Sequence, residues 1–164
     1  MVYARAKLMI QDSLLRPRPK VFITYSGPHP ERFYREIPNL MHTFFRVSDH
    51  QIQEKKFVWI KGDPEKFSVT WEIDKDVDKF SYYWVEVRLN GTTSKGNGDA
   101  EISVEANLRT EYPQDTYWQK SLLYEIFRMF WHSTFYIPKK DEYIREGRRM
   151  LAGFVDQLKR LTGV

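Results

Sequence analysis

The 164-residue sequence predicts an α+β domain: one antiparallel β-sheet of about six to seven strands with helices packed on it from the C-terminal end. Three observations predict it. Through most of the first two thirds, apolar and polar residues alternate with the period of half-buried strands, and turn residues bound each run. Between about residues 30 and 45, and again in the last third, the apolar spacing changes to three and four, the helical one. Four strand runs in the middle follow one another closely, and their one-sided alternation belongs to an antiparallel sheet with a solvated face.

Val2, Ala4, Ala6, Leu8 and Ile10 alternate with polar or larger residues as a first strand. The basic Arg16-Pro17-Arg18-Pro19 connection cannot continue a ladder, because proline lacks the donor. Lys20 to Ser26 resumes as a second strand until Gly27-Pro28 stops it. From Pro30, the residues Phe33, Tyr34, Ile37, Leu40, Met41, Phe44 and Phe45 predict one helix, or two short ones broken near Pro38. The next strands run from about Gln51 to Lys61, along Phe67 to Asp74, from Phe80 to Asn90 and from Ala100 to Tyr112, with Gly91 to Gly98 read as a glycine-rich loop. Asp115 or Thr116 can cap a helix running to about Tyr136, which Pro138 ends. Asp141-Glu142 then opens a final helix that Lys159-Arg160 and Gly163 close, with Ile144, Gly147, Met150 or Leu151, Phe154, Val155, Leu158 and Leu161 as its inner stripe. Residues 1–164 read as one domain, with 1–19 an N-terminal strand and basic connection and 114–162 the C-terminal helices.

Composition narrows the function classes. The chain has no cysteine, which removes disulfides and thiolate metal sites, while 16% aromatic residues argue against disorder. The net charge of +4 is spread unevenly, with both ends basic and the middle slightly acidic. No long apolar run opens the chain, so a cytoplasmic location is expected, and Asn90-Gly91-Thr92 reads as a turn rather than a glycosylation site. Trp118 to Ile137 is the most apolar segment, but Lys120, Glu125, Arg128 and His132 interrupt it, so no transmembrane span is expected.

Catalytic and metal signatures are lacking. Gly91-Thr92-Thr93-Ser94-Lys95-Gly96 has the glycine spacing of a phosphate loop but not its Lys-Ser/Thr, and it reads as a hairpin. His29, His42, His50 and His132 are scattered, so no metal and no cofactor is expected. Glu86, Glu101 and Glu105 read as solvated cross-strand partners of Arg88 and Lys95. The Arg16, Arg18, Lys20 arm and the Lys139, Lys140, Arg145, Arg148, Arg149 cluster could track phosphates, but Asp141, Glu142 and Glu146 can pair with the second, so nucleic acid is not favoured. The informative element is the helix from Trp118 to Tyr136. Its apolar residues Leu122, Leu123, Ile126, Phe127, Met129, Phe130, Trp131 and Phe135 cover more circumference than one sheet contact needs. Burial between sheet and final helix, a ligand-cavity wall and a subunit interface all fit this excess.

An early helical segment, four successive antiparallel strands with a long hairpin, and a terminal amphipathic helix resemble the helix-grip architecture of the START/Bet v 1-like (SRPBCC) superfamily, including its polyketide-cyclase and quinone-binding branches. The strand Val21-Phe22-Ile23-Thr24-Tyr25 leading into Pro30-Glu31-Arg32-Phe33-Tyr34 is the most specific local similarity. The resemblance implies a curved sheet gripping the C-terminal helix around a cavity for a hydrophobic small molecule or lipid. The inward-facing candidates it implies are Trp71, Tyr82, Trp84, Trp118, Phe127, Trp131 and Phe154, with Tyr82, His132 and Arg109 as polar anchors. No catalytic set is shared by that superfamily, so none carries over. The function expected first is therefore ligand binding. An oligomerisation or protein-interaction module built on residues 118–136 comes next, and a cyclase, hydrolase or isomerase type of enzyme third.

Overall fold

The computed structural model describes residues 7–113 and 122–163. Two short strands, β1 (Lys7–Ser13) and β2 (Lys20–Pro28), lead through a 3-10 turn at Pro30–Arg32 into α1 (Phe33–Phe45). A meander follows: β3 (Ile52–Ile60), β4 (Glu65–Asp76), β5 (Ser81–Ser94) and β6 (Asn97–Pro113). The chain ends in α2 (Leu122–Trp131), a π-helical turn (His132–Tyr136) and α3 (Ile137–Thr162). This is the α+β fold that the sequence predicts, a six-stranded antiparallel sheet with a long C-terminal helix packed against it.

The meander sets the sheet order β3-β4-β5-β6, and both N-terminal strands add to the free side of β6. β2 pairs with its first half, Lys20 opposite Glu105 to Pro28 opposite Asn97, and β1 with its second half, Lys7 opposite Pro113 to Ser13 opposite Asn107. Alternation then decides what each face carries. Val69, Trp71 and Ile73 of β4, Tyr83, Val85, Val87 and Leu89 of β5, and Ala100, Ile102, Val104, Ala106 and Leu108 of β6 point to one side and are buried. α1 and α3 cover that side with Phe33, Ile37, Met41 and Phe45 from the first and Leu151, Phe154, Val155 and Leu158 from the second. Phe154 is fully enclosed, with the Phe45 ring 5.2 Å from it and the Phe44 ring 6.2 Å away.

Four details differ from the expectation or resolve it. Pro38 lies inside α1 without breaking it; the bond to the Tyr34 carbonyl is lost, but the four buried side chains on the inner stripe hold the helix as one piece. The segment from Gly91 to Gly98 is not a loop. Both strands continue nearly to the tip, and only Lys95 and Gly96, at φ 50° and 81°, make the turn, the left-handed pair that matches strand twist. Gly91 and Gly98 are needed for close approach instead, since a Cβ there would collide with the Phe67 ring and with the Thr92 carbonyl respectively.

Pro138 does not terminate the preceding helix, and Asp141-Glu142 does not open the next. α3 begins at Ile137 with Pro138 in its first turn, where the missing N–H costs nothing. The π-helical turn absorbs the misfit, so helical backbone is continuous from Leu122 to Thr162. The proposed caps Asp115 and Thr116 lie outside the described residues. At the other end, Gly163 adopts φ 73° and its N–H bonds back to the Arg160 and Lys159 carbonyls, as the sequence implies.

Candidate functional site

The residues singled out from the sequence fall into separate places. Trp71 and Phe154 belong to the core side of the sheet, both buried. Tyr82 and Trp84 lie on the opposite face, because they share strand parity with Glu86 and Arg88. Phe127 and Trp131 stand exposed on α2. Trp118 and the side chain of His132 lie outside the described residues. The structure therefore gathers Tyr82 with Trp84 but joins neither to Trp71 or Phe154. The interface between sheet and α3, where a cavity was expected, is filled by Leu151, Phe154 and Leu158, each no more than 2% exposed.

The face of the sheet opposite α1 and α3 is largely polar, and it carries paired carboxylates. Glu72, Glu86 and Glu105 stand side by side across β4, β5 and β6. Each has its own cation: Lys55 at 3.5 Å from Glu72, Arg88 at 2.7 Å from Glu86 and Lys20 at 2.9 Å from Glu105. Lys20 rather than Lys95 answers Glu105, because Lys95 is carried out to the hairpin tip. The Arg109 guanidinium covers Trp84, and the Tyr82 hydroxyl donates to Glu111 at 2.8 Å. Burial, then the neighbouring Glu72 charge, raises the Asp74 carboxyl above its usual range, with Arg109 and Lys55 pulling the other way. Burial and the bond to Glu111 push the Tyr82 hydroxyl up.

A second place is the groove between α1 and β3. Two clefts of about 520 and 820 Å³ flank Tyr34 and Arg35, one reaching Trp71, Ile52 and His42 and the other Trp59, Arg32 and Glu31. Tyr34 stands between them, its ring 5.8 Å from Trp71 and 6.0 Å from Trp59, and its hydroxyl donates to Glu54 at 3.1 Å. Burial and that carboxylate raise the Tyr34 hydroxyl. The sequence counted Tyr34 in the helical core stripe; the alternation of Phe57 and Trp59 on a strand facing it was the available signal.

Where the helical connection meets the sheet, Asp78, Ser81, Thr110 and Tyr136 form a hydroxyl network. Asp78 Oδ1 accepts the Phe80 and Ser81 amides at 2.8 Å each. Ser81 Oγ bonds Thr110 Oγ1 at 2.9 Å and also meets the Tyr136 hydroxyl. Both Ser81 and Thr110 are buried, so this serine is tied into packing. Among the described residues no group of three His, Asp or Glu side chains is placed to hold a metal.

The third place is α2. Leu122, Leu123, Ile126, Phe127, Met129 and Phe130 are 57–77% exposed. At about 100° per residue they span an arc of about 160°. Trp131, 52% exposed, stands at its margin. The other side of the helix carries Tyr124, Glu125 and Arg128, all only partly accessible, with Arg128 paired to Glu125. The usual arrangement of a surface helix is thus inverted: the ion pair is sheltered and the large apolar side chains face outward. No helix is long and apolar enough to cross a membrane among the described residues.

On α3, Lys140 pairs with Asp12 of β1 at 2.6 Å. The expected pairing along the helix does not form: among the described residues, Asp141, Glu142 and Glu146 make no ion pair with Arg145 or Arg149, whose side chains extend into solvent.

No protein-family model matches the chain, and neither does any curated protein or solved structure.

Proposed function

We propose that this protein is an interaction module that docks through the outward face of α2 onto an apolar protein surface. The observation that carries the reading is the inversion of that helix: six large apolar side chains face outward, while the paired Glu125 and Arg128 are the partly sheltered ones. Water penalises such an arrangement and an apolar partner rewards it. Phe130 contributes to the arc without being part of the buried core, so Phe130→Glu alters the face and leaves the fold. A dye that fluoresces on apolar surfaces should bind the dilute wild-type protein and bind Phe130→Glu severalfold less. Equal fluorescence from the two proteins, at equal helix content, would remove the reading.

A second reading, binding of a hydrophobic small molecule or lipid, is supported by the clefts beside Tyr34. Their volumes of about 520 and 820 Å³ lie in the usual range for ligand pockets, and aromatic rings line them. The order of elements supports kinship with the START/Bet v 1-like helix-grip superfamily, and the ligand site would then sit beside α1 instead of beneath α3. Organic extraction of the purified protein followed by mass spectrometry tests this. A protein that is reproducibly empty, and whose Trp59 and Trp71 fluorescence is indifferent to fatty acids and aromatic acids, would count against it.

A further inference from the structure

We infer that the occupant of the α2 face is a second copy of this chain, the two α2 helices meeting across a two-fold axis. The inference rests on the docking role proposed above and names its partner. Three features of the helix lead to it.

The first is size. With roughly 150 Å² for a fully exposed side chain of this kind, exposures of 57–77% over six residues leave on the order of 600 Å² of apolar surface. That is the top of the range, about 300–600 Å², for the largest apolar patch on a monomeric protein, a patch that is often functional. The same area is most of the roughly 800 Å² that each partner contributes to a standard interface.

The second is charge. Among the described residues the arc from Met129 to Phe127 contains no ionisable residue, and the nearest charges on the helix, Glu125 and Arg128, pair with each other. A partner of fixed charge would have nothing to match here. A surface without charge is complementary to itself, which is what a two-fold contact requires. A bilayer is the less suitable occupant, because a helix lying in a lipid surface carries a cationic fringe on its polar side, and α2 carries one paired arginine there.

The third is presentation. A helix of ten residues is marginal alone in water. Here it is continued through the π-helical turn into α3, which is anchored on the sheet by Phe154 and Leu158. Its principal neighbour among the described elements is that turn. The helix is thereby held in shape with its apolar arc uncovered, open to an identical arc.

Sedimentation velocity of the full chain across the micromolar range tests the proposal. The expected result is a monomer–dimer equilibrium that Phe130→Glu weakens by about tenfold or more, the effect of losing a central anchor. Leu123→Glu, at another point of the same arc, should act alike, so the outcome does not depend on one variant folding. A wild-type monomer at every concentration overturns the second copy; if the dye contrast between wild type and Phe130→Glu persists in that monomer, the docking face stands, and if the contrast is absent, both fall. Flotation of that monomer with phosphatidylcholine–phosphatidylglycerol vesicles, lost in Phe130→Glu, would likewise overturn the second copy and assign the face to lipid. A dimer that neither variant disturbs also overturns it, by placing the interface elsewhere.

Discussion

The guanidinium of Arg109 lies over the ring of Trp84, 4.0 Å from its centroid, on the side of the sheet away from α1 and α3. The pair explains how a tryptophan on the solvent side of a strand is only 8% exposed. Arg109 acts as a lid whose charge is attracted to the ring face. The cross-strand residues on either side of Trp84 are polar, Asp74 and Asn107.

Removing that lid should be measurable. Arg109→Ala is expected to lower stability by about 1 kcal/mol, the scale of a partly desolvated cation–π contact. The check is the urea midpoint, together with a red shift of tryptophan emission as Trp84 meets water. Arg109→Lys, which keeps the charge and loses the flat stacking group, should recover only part of the loss.

Phe154 is expected to be the costliest single truncation in α3. It is fully buried against Phe44 and Phe45, and emptying the site should cost about 3–5 kcal/mol. Gly147→Ala is a finer probe of the same interface. A Cβ at Gly147 would sit 2.8 Å from Tyr83 Cε1 and 3.0 Å from Leu14, and the Tyr83 hydroxyl is tied to the Tyr143 carbonyl at 2.7 Å, so the ring cannot easily retreat. A loss of about 1–3 kcal/mol is expected by thermal or chemical denaturation, although alanine is the better helix former.

Tyr136→Phe tests the junction between π-helical turn and sheet. It removes one hydroxyl from the Ser81, Thr110 and Asp78 network while leaving the ring in place. The expected cost is about 1 kcal/mol. Hydrogen exchange should quicken most around residues 132–140; an effect spread evenly over the sheet would contradict the local role.

Two carboxyls give opposite pH signs. Asp74 is raised in the folded protein, chiefly by burial and then by Glu72. Its contribution is complete below the ordinary carboxylate range and declines as pH climbs through the window up to the raised value. Asp74→Asn should therefore flatten that decline and stabilise the protein at neutral pH. At Glu31 burial pulls upward, but the His29 hydrogen bond, with backbone and charge contributions, leaves the carboxyl below its ordinary value. Its contribution is present above the ordinary range and is lost as pH falls through the lowered value, so Glu31→Gln should shrink the loss on acidification. Denaturation midpoints followed across the acidic range separate the two.

Much of the fold could be read from residue spacing, and the exceptions have physical causes. Ala100 to Leu108 alternate so cleanly that the inner face of β6 follows directly, and the stripe from Gly147 to Leu158 is the one α3 buries. Pro138 was misleading because a proline that ends one helix and a proline that starts the next are the same residue in sequence, and only the backbone distinguishes them. Gly91 and Gly98 misled for a similar reason, since a glycine required by a crossing ring or carbonyl looks like a glycine in a loop. The sites were harder. Tyr82 and Trp84 had the parity of Glu86, which the aromatic character of the strand start obscured. For α2, the excess of apolar circumference was visible, but which side faced the protein was not. That depended on Glu125 and Arg128 turning inward, a tertiary outcome with no local signal.

The double engagement of β6 also bears on the order in which the chain assembles. Its partner β5 is adjacent in sequence and joined by a two-residue turn, whereas β1 and β2 reach it across some seventy to one hundred residues. Closing those long loops costs entropy before any pairing is gained. The meander β3 to β6 can therefore form from local contacts, and the N-terminal strands have no surface to join until β6 is in place. Pulse-labelled hydrogen exchange should find the amides of Val85 and Val87 protected before those of Ile10 and Ile23. During synthesis β1 and β2 must therefore wait unpaired until β6 has been made, and the exposed basic connection between them, with Arg16 and Arg18, places charge beside two strands that have yet to pair.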